Sequence, residues 1–462
     1  MIVVLTKKNV LGTAVLGLLI GTMAGLYAED NTVDAALKYA NNNVKFTGYG
    51  SYEFGEVVKG FNETDVDHYW SHQVYAGLGF MAALGQKIEL NAGVEGKMWN
   101  PFPNTALPGR TQWTTQYSLW LTSTYLTYSP FGSEGNSWLQ IEGGYFPFKY
   151  NPDAHNFGEY LFRSYTYPGI LMNYFDFPAI RLLGLKVHAS LFDDFFSTFD
   201  GKLKSDLLLT EEDQNWPIGD MSISWFASVN LKKVFDLGFG IDLANCISVN
   251  SFNTTPAWYN ASSGGNAIVI SEDAVGGKKY DSTQFYTFAA VKPMARLNID
   301  PKPLLGDIAQ ILGSEDMKLY GEACIIGLKD YPFYYDNMSE RTPMMIGFNF
   351  PTFKILDLLN IEGEYYSSRI STDYHNQVQP PGAMNRIFVT PIPAAIADNI
   401  PETLKWKWSI YLKKTLAPRT SIILQFAHDH YRVTYPDGNP FWTETLPHQG
   451  DWRWVVKLVG VL

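Results

Sequence analysis

The sequence predicts an all-β chain closed into a transmembrane antiparallel β-barrel of about 16 strands (14–18). Three observations carry that expectation. Apolar and polar residues alternate with period two through segment after segment, the connections alternate between short and long, and Phe, Tyr and Trp make up 15% of the 462 residues. Period-two alternation marks strands with one apolar and one polar face, and interfacial girdles of aromatic side chains would use the rings.

Residues 1–28 read as a signal peptide. Lys7 and Lys8 form a positive start, an apolar small-residue stretch runs from Val10 to Leu26, and Leu26-Tyr27-Ala28 offers a cleavage site before Glu29-Asp30. Residues 29–44 form a periplasmic N-terminal segment in this reading, with a short helix expected over Val33–Ala40, and residues 45–462 form the barrel. Without the first 28 residues the formal charge moves from −11 to about −13. Nucleic-acid partners are excluded on that balance, because phosphate binding needs a basic stripe. No stretch beyond the signal approaches the roughly twenty apolar residues of a membrane helix.

Strands are expected to begin near residues 45, 73, 87, 116, 137, 179, 202, 221, 237, 284, 317, 341, 359, 403, 420 and 451. In Thr403–Lys413, Leu404, Trp406, Trp408, Ile410 and Leu412 oppose Lys405, Lys407, Ser409, Tyr411 and Lys413. In Ile88–Met98, Ile88, Leu90, Ala92, Val94 and Met98 oppose Glu89, Asn91, Glu95 and Lys97. Met221–Lys232 repeats the pattern. Successive side chains of a strand point to opposite faces, so each segment has two unlike walls. Short connections such as Gly85-Gln86, Lys233–Asp236 and Lys414–Arg419 are expected at the periplasmic end. Long ones, such as Asn151–Pro178, Asn250–Thr283, Asp373–Glu402 and Pro436–Gly450, are expected outside. One short link is replaced by Asp300–Asp316, where Asp307 and Gln310 suit the cap of a small helix. Dividing the 434 residues after position 28 by sixteen gives about 27, enough for a tilted span of roughly 9–11 residues plus its connection. A soluble barrel of that size would leave a lumen that side chains cannot fill, whereas a membrane pore can hold water.

At the C-terminus Trp452, Trp454, Val456, Leu458, Gly460 and Leu462 share one face, and Leu462 is the last residue. Here the chain resembles bacterial outer-membrane β-barrel proteins, porins among them, whose last strand alternates apolar and aromatic residues and is read by the barrel-assembly machinery. The terminal Leu departs from the usual aromatic end. The resemblance implies export to the outer membrane of a Gram-negative-type envelope, contact with its lipid and lipopolysaccharide, engagement of the assembly machinery through residues 451–462, and passive diffusion of small hydrophilic solutes, with saccharides one candidate class. Two other readings stay open: a barrel plugged by its loops with a surface-binding or structural role, and a soluble secreted carbohydrate-active or carbohydrate-binding β-protein.

A charge facing lipid costs kcal/mol at mid-membrane, so charged residues of the strands are assigned inward. The pore-lining candidates are Glu95, Glu142, Glu322, Glu362, Glu364, Lys292, Arg296, Lys405, Lys407, Arg453 and Lys457. Glu89, Asp242, Asp429, Lys87, Lys97, Lys232 and Lys413 are assigned to the same mixed wall. Such charges either set ion preference or simply pair across strands, as Glu362 and Glu364 would with Lys405 and Lys407. By analogy with general porins, the loop Asn151–Pro178 could narrow the barrel through Asp153, Glu159 and Arg163; a surface loop packed on its own aromatics is the other possibility. No H-E-x-x-H, G-x-S-x-G or phosphate-binding glycine loop is present, so no enzyme, cofactor or metal site is expected. His68 with His72 and His428 with His430 read as incidental rather than as metal ligands. Cys246 and Cys324 are too few for a disulfide framework, and either a single bridge or two free thiols fits.

Overall fold

A computed structural model of the chain describes residues 44–59, 69–101, 116–131, 137–158, 160, 170–171, 180–191, 201–211, 221–247, 290–325, 327–328, 338–365, 406–428 and 450–462. The expectations for residues 1–43, and for Lys405, Asp429, Glu159 and Arg163, lie outside these.

Sixteen long strands follow one another in order. They are β1 (Val44–Lys59), β2 (Tyr69–Ala83), β3 (Ile88–Pro101), β4 (Gln116–Tyr128), β5 (Leu139–Phe148), β7 (Ile180–Leu191), β8 (Gly201–Glu211), β9 (Met221–Leu231), β10 (Phe235–Ile247), β11 (Ala290–Ile299), β12 (Leu319–Cys324), β13 (Met344–Asn349), β14 (Leu358–Tyr365), β15 (Trp406–Ala417), β16 (Thr420–Ala427) and β17 (Trp452–Val461). A two-residue segment, β6 (Ile170–Leu171), adds to β7. Every long strand is antiparallel to its neighbours, β5 pairs with β7, and β17 returns to pair with β1, so the sheet closes on itself. The predicted starts fall within four residues of the observed ones, except that the tenth strand, expected from 284, is described from Ala290.

The two rims differ. At one, β2–β3, β9–β10 and β15–β16 are joined by tight turns; Lys232 and Lys233 both take positive φ (53° and 57°), the two-residue geometry that matches strand twist. The other rim carries the long connections. Lys87 and Lys232 are corrected by this arrangement. Both are exposed at the turn rim, where Lys87 donates to the Pro130 carbonyl, rather than on the inner wall. The link after β11 is also not a capped α-helix. It forms 3₁₀ turns at Lys302–Leu304 and Gly306–Ile311, with no side-chain cap.

Burial is inverted relative to a soluble protein. Glu53, Glu95, Lys97, Lys292, Glu322, Glu362, Glu364, Lys407 and Arg453 are buried, while Phe46, Leu78, Leu119, Ile346, Trp406 and Leu458 are exposed. Leu78 at mid-β2 is 63% exposed and Leu119 on β4 is 77% exposed. Soluble monomers rarely show contiguous apolar surface beyond a few hundred Å², and here apolar side chains on strands all round the barrel point out. Such an outer wall is at home against hydrocarbon, and closure leaves no strand edge unpaired there. Among the described residues no helix is long and apolar enough to cross a membrane.

A charge on the outer wall is therefore expected to be costly. Leu78→Arg should lower stability by about 2–4 kcal/mol in chemical unfolding from lipid, against about 0.5 kcal/mol or less for a surface that faces water. A change of the smaller size would show that the wall is solvated.

Candidate functional site: the lumen wall and the segment that enters it

The strand pattern that sends leucines outward sends the charges into the lumen, and most of them meet a partner on the next strand. Lys292 on β11 lies 3.5 Å from Asp242 on β10, both fully buried, and Ser224 of β9 donates to the same carboxyl group (2.8 Å). Arg296 forms a two-pronged contact with Asp236 (3.1 and 3.2 Å), with its guanidinium over the Tyr150 ring. Lys186 meets Glu142 at 2.7 Å, and His188 meets Asp206 at 2.6 Å. Glu364 and Lys407 are register partners on β14 and β15. On the opposite side of the barrel, the Lys97 and Lys457 ammonium groups lie 5.4 and 5.6 Å from the centre of the Tyr75 ring. Cross-strand pairing of this kind satisfies charge that would otherwise be costly to enclose.

Glu362 departs from this rule, and Glu322, the register partner of Arg296, gains a second contact, because the chain after β5 reaches both. Lys149–Gly158 with Tyr160 turns into the barrel, and its backbone and side chains bind the inner wall. Glu362 accepts the backbone N–H groups of His155 (2.6 Å), Asn156 (2.8 Å) and Phe157 (2.8 Å), and the Tyr320 hydroxyl (2.5 Å). The expected pairing of Glu362 with Lys405 or Lys407 is corrected: its register partner on β15 is Ser409. Three successive N–H groups of a turn form a concave donor set matched to one carboxylate, and each charge-assisted bond contributes roughly 1.5–3 kcal/mol.

Two further contacts hold the segment. Asn151 donates to Glu322 (3.0 Å) and accepts from Asn298 (3.1 Å). Asp153 accepts from Asn298 (2.8 Å) and pairs with Lys318 (3.1 Å), which also reaches Glu315 (2.8 Å). Burial alone would depress the Lys318 pKa, but the Glu315 and Asp153 carboxylates outweigh it and hold the ammonium above its ordinary value. Gly158 has φ +94°, and a Cβ there would sit 2.5 Å from a Glu322 oxygen, so the turn needs glycine for conformation and for space. Gly347 on β13 leaves the room that the Tyr320 ring occupies.

Beneath the segment is a small apolar core inside the lumen. Phe157, Tyr160, Ala154 and Tyr150 pack with Phe146, Phe148, Leu182, Leu208, Phe226, Met294 and Tyr320. The His155 ring stacks on Tyr411 (5.5 Å, 10°) and meets Tyr320 edge-on (6.3 Å). Burial, and next the Lys149 charge, pull its pKa down to about 4, so it is neutral at neutral pH. Residues 149–158 and 160 of this connection thus lie within the barrel, not on its surface.

Of the predicted lining residues, Glu95, Glu142, Glu322, Glu362, Glu364, Lys292, Arg296, Lys407, Arg453 and Lys457 all stand on the inner wall, and Asp153 stands on the inserted segment. Missed were Asn151, Asn298, Tyr320 and Tyr411, which fasten the segment without charge, and Asn360, which donates to the Tyr320 hydroxyl (2.7 Å). The signal for the first was the Asn151-Pro152-Asp153 turn; the others occupy inward places in strands already read. Among the described residues no group of three metal-ligating side chains occurs, and both cysteines are free, Cys246 exposed and Cys324 buried.

The docked segment binds fewer protons at His155 than a released one, whose imidazole would titrate near 6.5. Docking is therefore fully favoured above about pH 6.5 and weakens as pH falls toward about 4. Hydrogen exchange at the Asn156 amide, corrected for intrinsic rate, should lose protection across that window. His155→Phe, which retains the stack without the proton, should flatten the loss; an identical pH profile would remove His155 from the account.

No family model matches the chain, and no curated protein matches it. Among solved structures it is similar to Pseudomonas putida OprB at high pH (TM-score 0.49, 11% identity, 93% of this chain and 96% of that one). It is similar to Salmonella typhi OmpF in complex with daunomycin (TM-score 0.46, 10% identity, 92% and 99%), and to a mutant Rh. blastica porin (TM-score 0.42, 7% identity, 91% and 100%).

Proposed function

We propose that this protein is a bacterial outer-membrane channel for passive passage of small hydrophilic solutes, with the segment after β5 as its constriction. One observation carries the reading: a closed barrel has its strand charges on the inner wall and an outer wall of exposed apolar side chains, Leu78, Leu119 and Trp406 among them. A polar inner wall in a barrel of sixteen strands suits a water-filled path, since that diameter exceeds what wall side chains can fill. The described part of the inserted segment narrows the side bounded by β5 and β7–β15, ten of the sixteen long strands, and the sector of β1–β4, β16 and β17, with Glu95, Lys97, Arg453 and Lys457, is the passage in this reading. Selection is then by size and by a mixed field, and no cofactor or reaction is required. Lipid and lipopolysaccharide are the surroundings in this reading, and strand β17 is the piece offered to the assembly machinery after export.

A second reading has one observation in its favour. Phe157 and Tyr160 are buried in a core inside the lumen, as in a barrel sealed by its own loop. Planar-bilayer recording separates the two. A channel should give discrete current steps that scale with salt concentration, and a neutral oligosaccharide that enters should reduce them. Absence of steps in protein shown by heat-modifiable migration to be folded would favour the sealed barrel, and unchanged current under saturating sugar would remove saccharides as solutes.

A further inference from the structure

Three turns at the short-turn rim are brief, 84–87, 232–234 and 418–419, and the first two are polar at Gly85-Gln86 and Lys232-Lys233. Among the fully described links there, two are longer than the strands require, 300–318 between β11 and β12 and 350–357 between β13 and β14. Their additional residues hold apolar side chains outward. Leu304 at the end of the first 3₁₀ turn is 70% exposed, and Ile308 and Ile311 on the second are also exposed. On the second link Phe353 and Ile355 are exposed, Ile355 by 73%.

The side of these links that faces the barrel is polar and satisfied. Asp316 accepts from the Gly313 and Phe353 N–H groups and from the Thr352 hydroxyl. Lysines stitch the links together: Lys354 donates to the Gln310 carbonyl (2.6 Å), and Lys414 of β15 donates to the Lys354 carbonyl (3.1 Å). The inside-out arrangement of the strands therefore continues past their ends. It does so without a gap: the outward row of β13, Met344, Ile346, Phe348 and Phe350, runs straight into Phe353 and Ile355, and the outward row of β15 ends on exposed Leu416.

We propose that this rim surface, formed by residues 303–311, residues 353–355 and Leu416, is a membrane-contact platform that rests in the boundary between lipid headgroups and acyl chains. It rests on the membrane-spanning reading above and takes its occupant from continuity with the lipid-facing wall. An amphipathic turn that lies along an interface buries its apolar face just below the headgroups. Lysines at that depth lay their stems along apolar surface while the ammonium groups reach toward water and headgroups.

The test is site-directed spin labelling in vesicles of phosphatidylethanolamine and phosphatidylglycerol, in a Cys246→Ser background with Cys324 left buried. Labels at Ile308→Cys and Ile355→Cys are compared with Leu78→Cys on the outer wall and Gln86→Cys on a polar turn. Collision with oxygen relative to a water-soluble nickel chelate should be several-fold higher at 308 and 355 than at 86, approaching the value at 78. Ratios equal to that at 86 would overturn the platform while leaving the barrel in its membrane. Shielding from both reagents would overturn it too, by showing that a second copy or another protein covers the patch. A water-like ratio at 78 would remove the membrane reading and the platform together.

Discussion

Closure of the sheet is the constraint on which the remaining features depend. An open sheet of this size would present two long edges of unpaired N–H and C=O groups, each costly in hydrocarbon. Pairing of β17 with β1, from Tyr49↔Val461 to Lys59↔Trp452, removes both edges at once. Once the backbone is satisfied internally, side chains alone decide what each face tolerates. The outer face can then be apolar throughout, and the inner face can hold Glu362, Lys292 and Arg296 at positions where a soluble core would reject them.

Closure also creates a space that must be occupied. Sixteen strands enclose more volume than their own inward side chains fill, and the chain after β5 supplies part of the filling. Its docking combines two effects of different character. Apolar packing of Phe157 and Tyr160 against Phe146, Phe226 and Met294 is non-directional and accounts for bulk. The grip of Glu362 on three consecutive amides is directional, and it specifies where the segment stops. Without the carboxylate three enclosed N–H groups would lack acceptors, which is costly well beyond the loss of the bonds themselves. A rigid wall thus positions a segment of irregular backbone, and paired charges elsewhere on the wall keep the enclosed field moderate.

The strands were legible because a strand's periodicity is local: two residues move a side chain to the opposite face whatever the rest of the chain does. Trp406 and Trp408 outward, Lys407 inward, Glu95 and Lys97 inward beside Val94 and Met98 outward could all be read from neighbours in sequence. The errors at Lys87 and Lys232 arise where that periodicity ends, since a turn breaks the alternation within one or two residues. The link after β11 was misread for a related reason: Asp307 and Gln310 suit a helix cap, but the 3₁₀ turns there are held by Asp316, whose carbonyl accepts from the Lys302 ammonium and whose carboxylate accepts from the Gly313 N–H.

The amino-acid sequence by itself determined the class, the strand places, the closed membrane-type barrel and the inward charges, because each follows from alternation and length. Only the tertiary structure decided what those charges meet. Asn151 and Glu322 are 171 positions apart, and His155 and Glu362 are 207 apart. No local pattern encodes such contacts, since they depend on how far around the barrel the inserted segment reaches. Whether a buried carboxylate pairs with a neighbouring lysine or closes on a backbone turn is a question of distance in space, and chain order leaves it open.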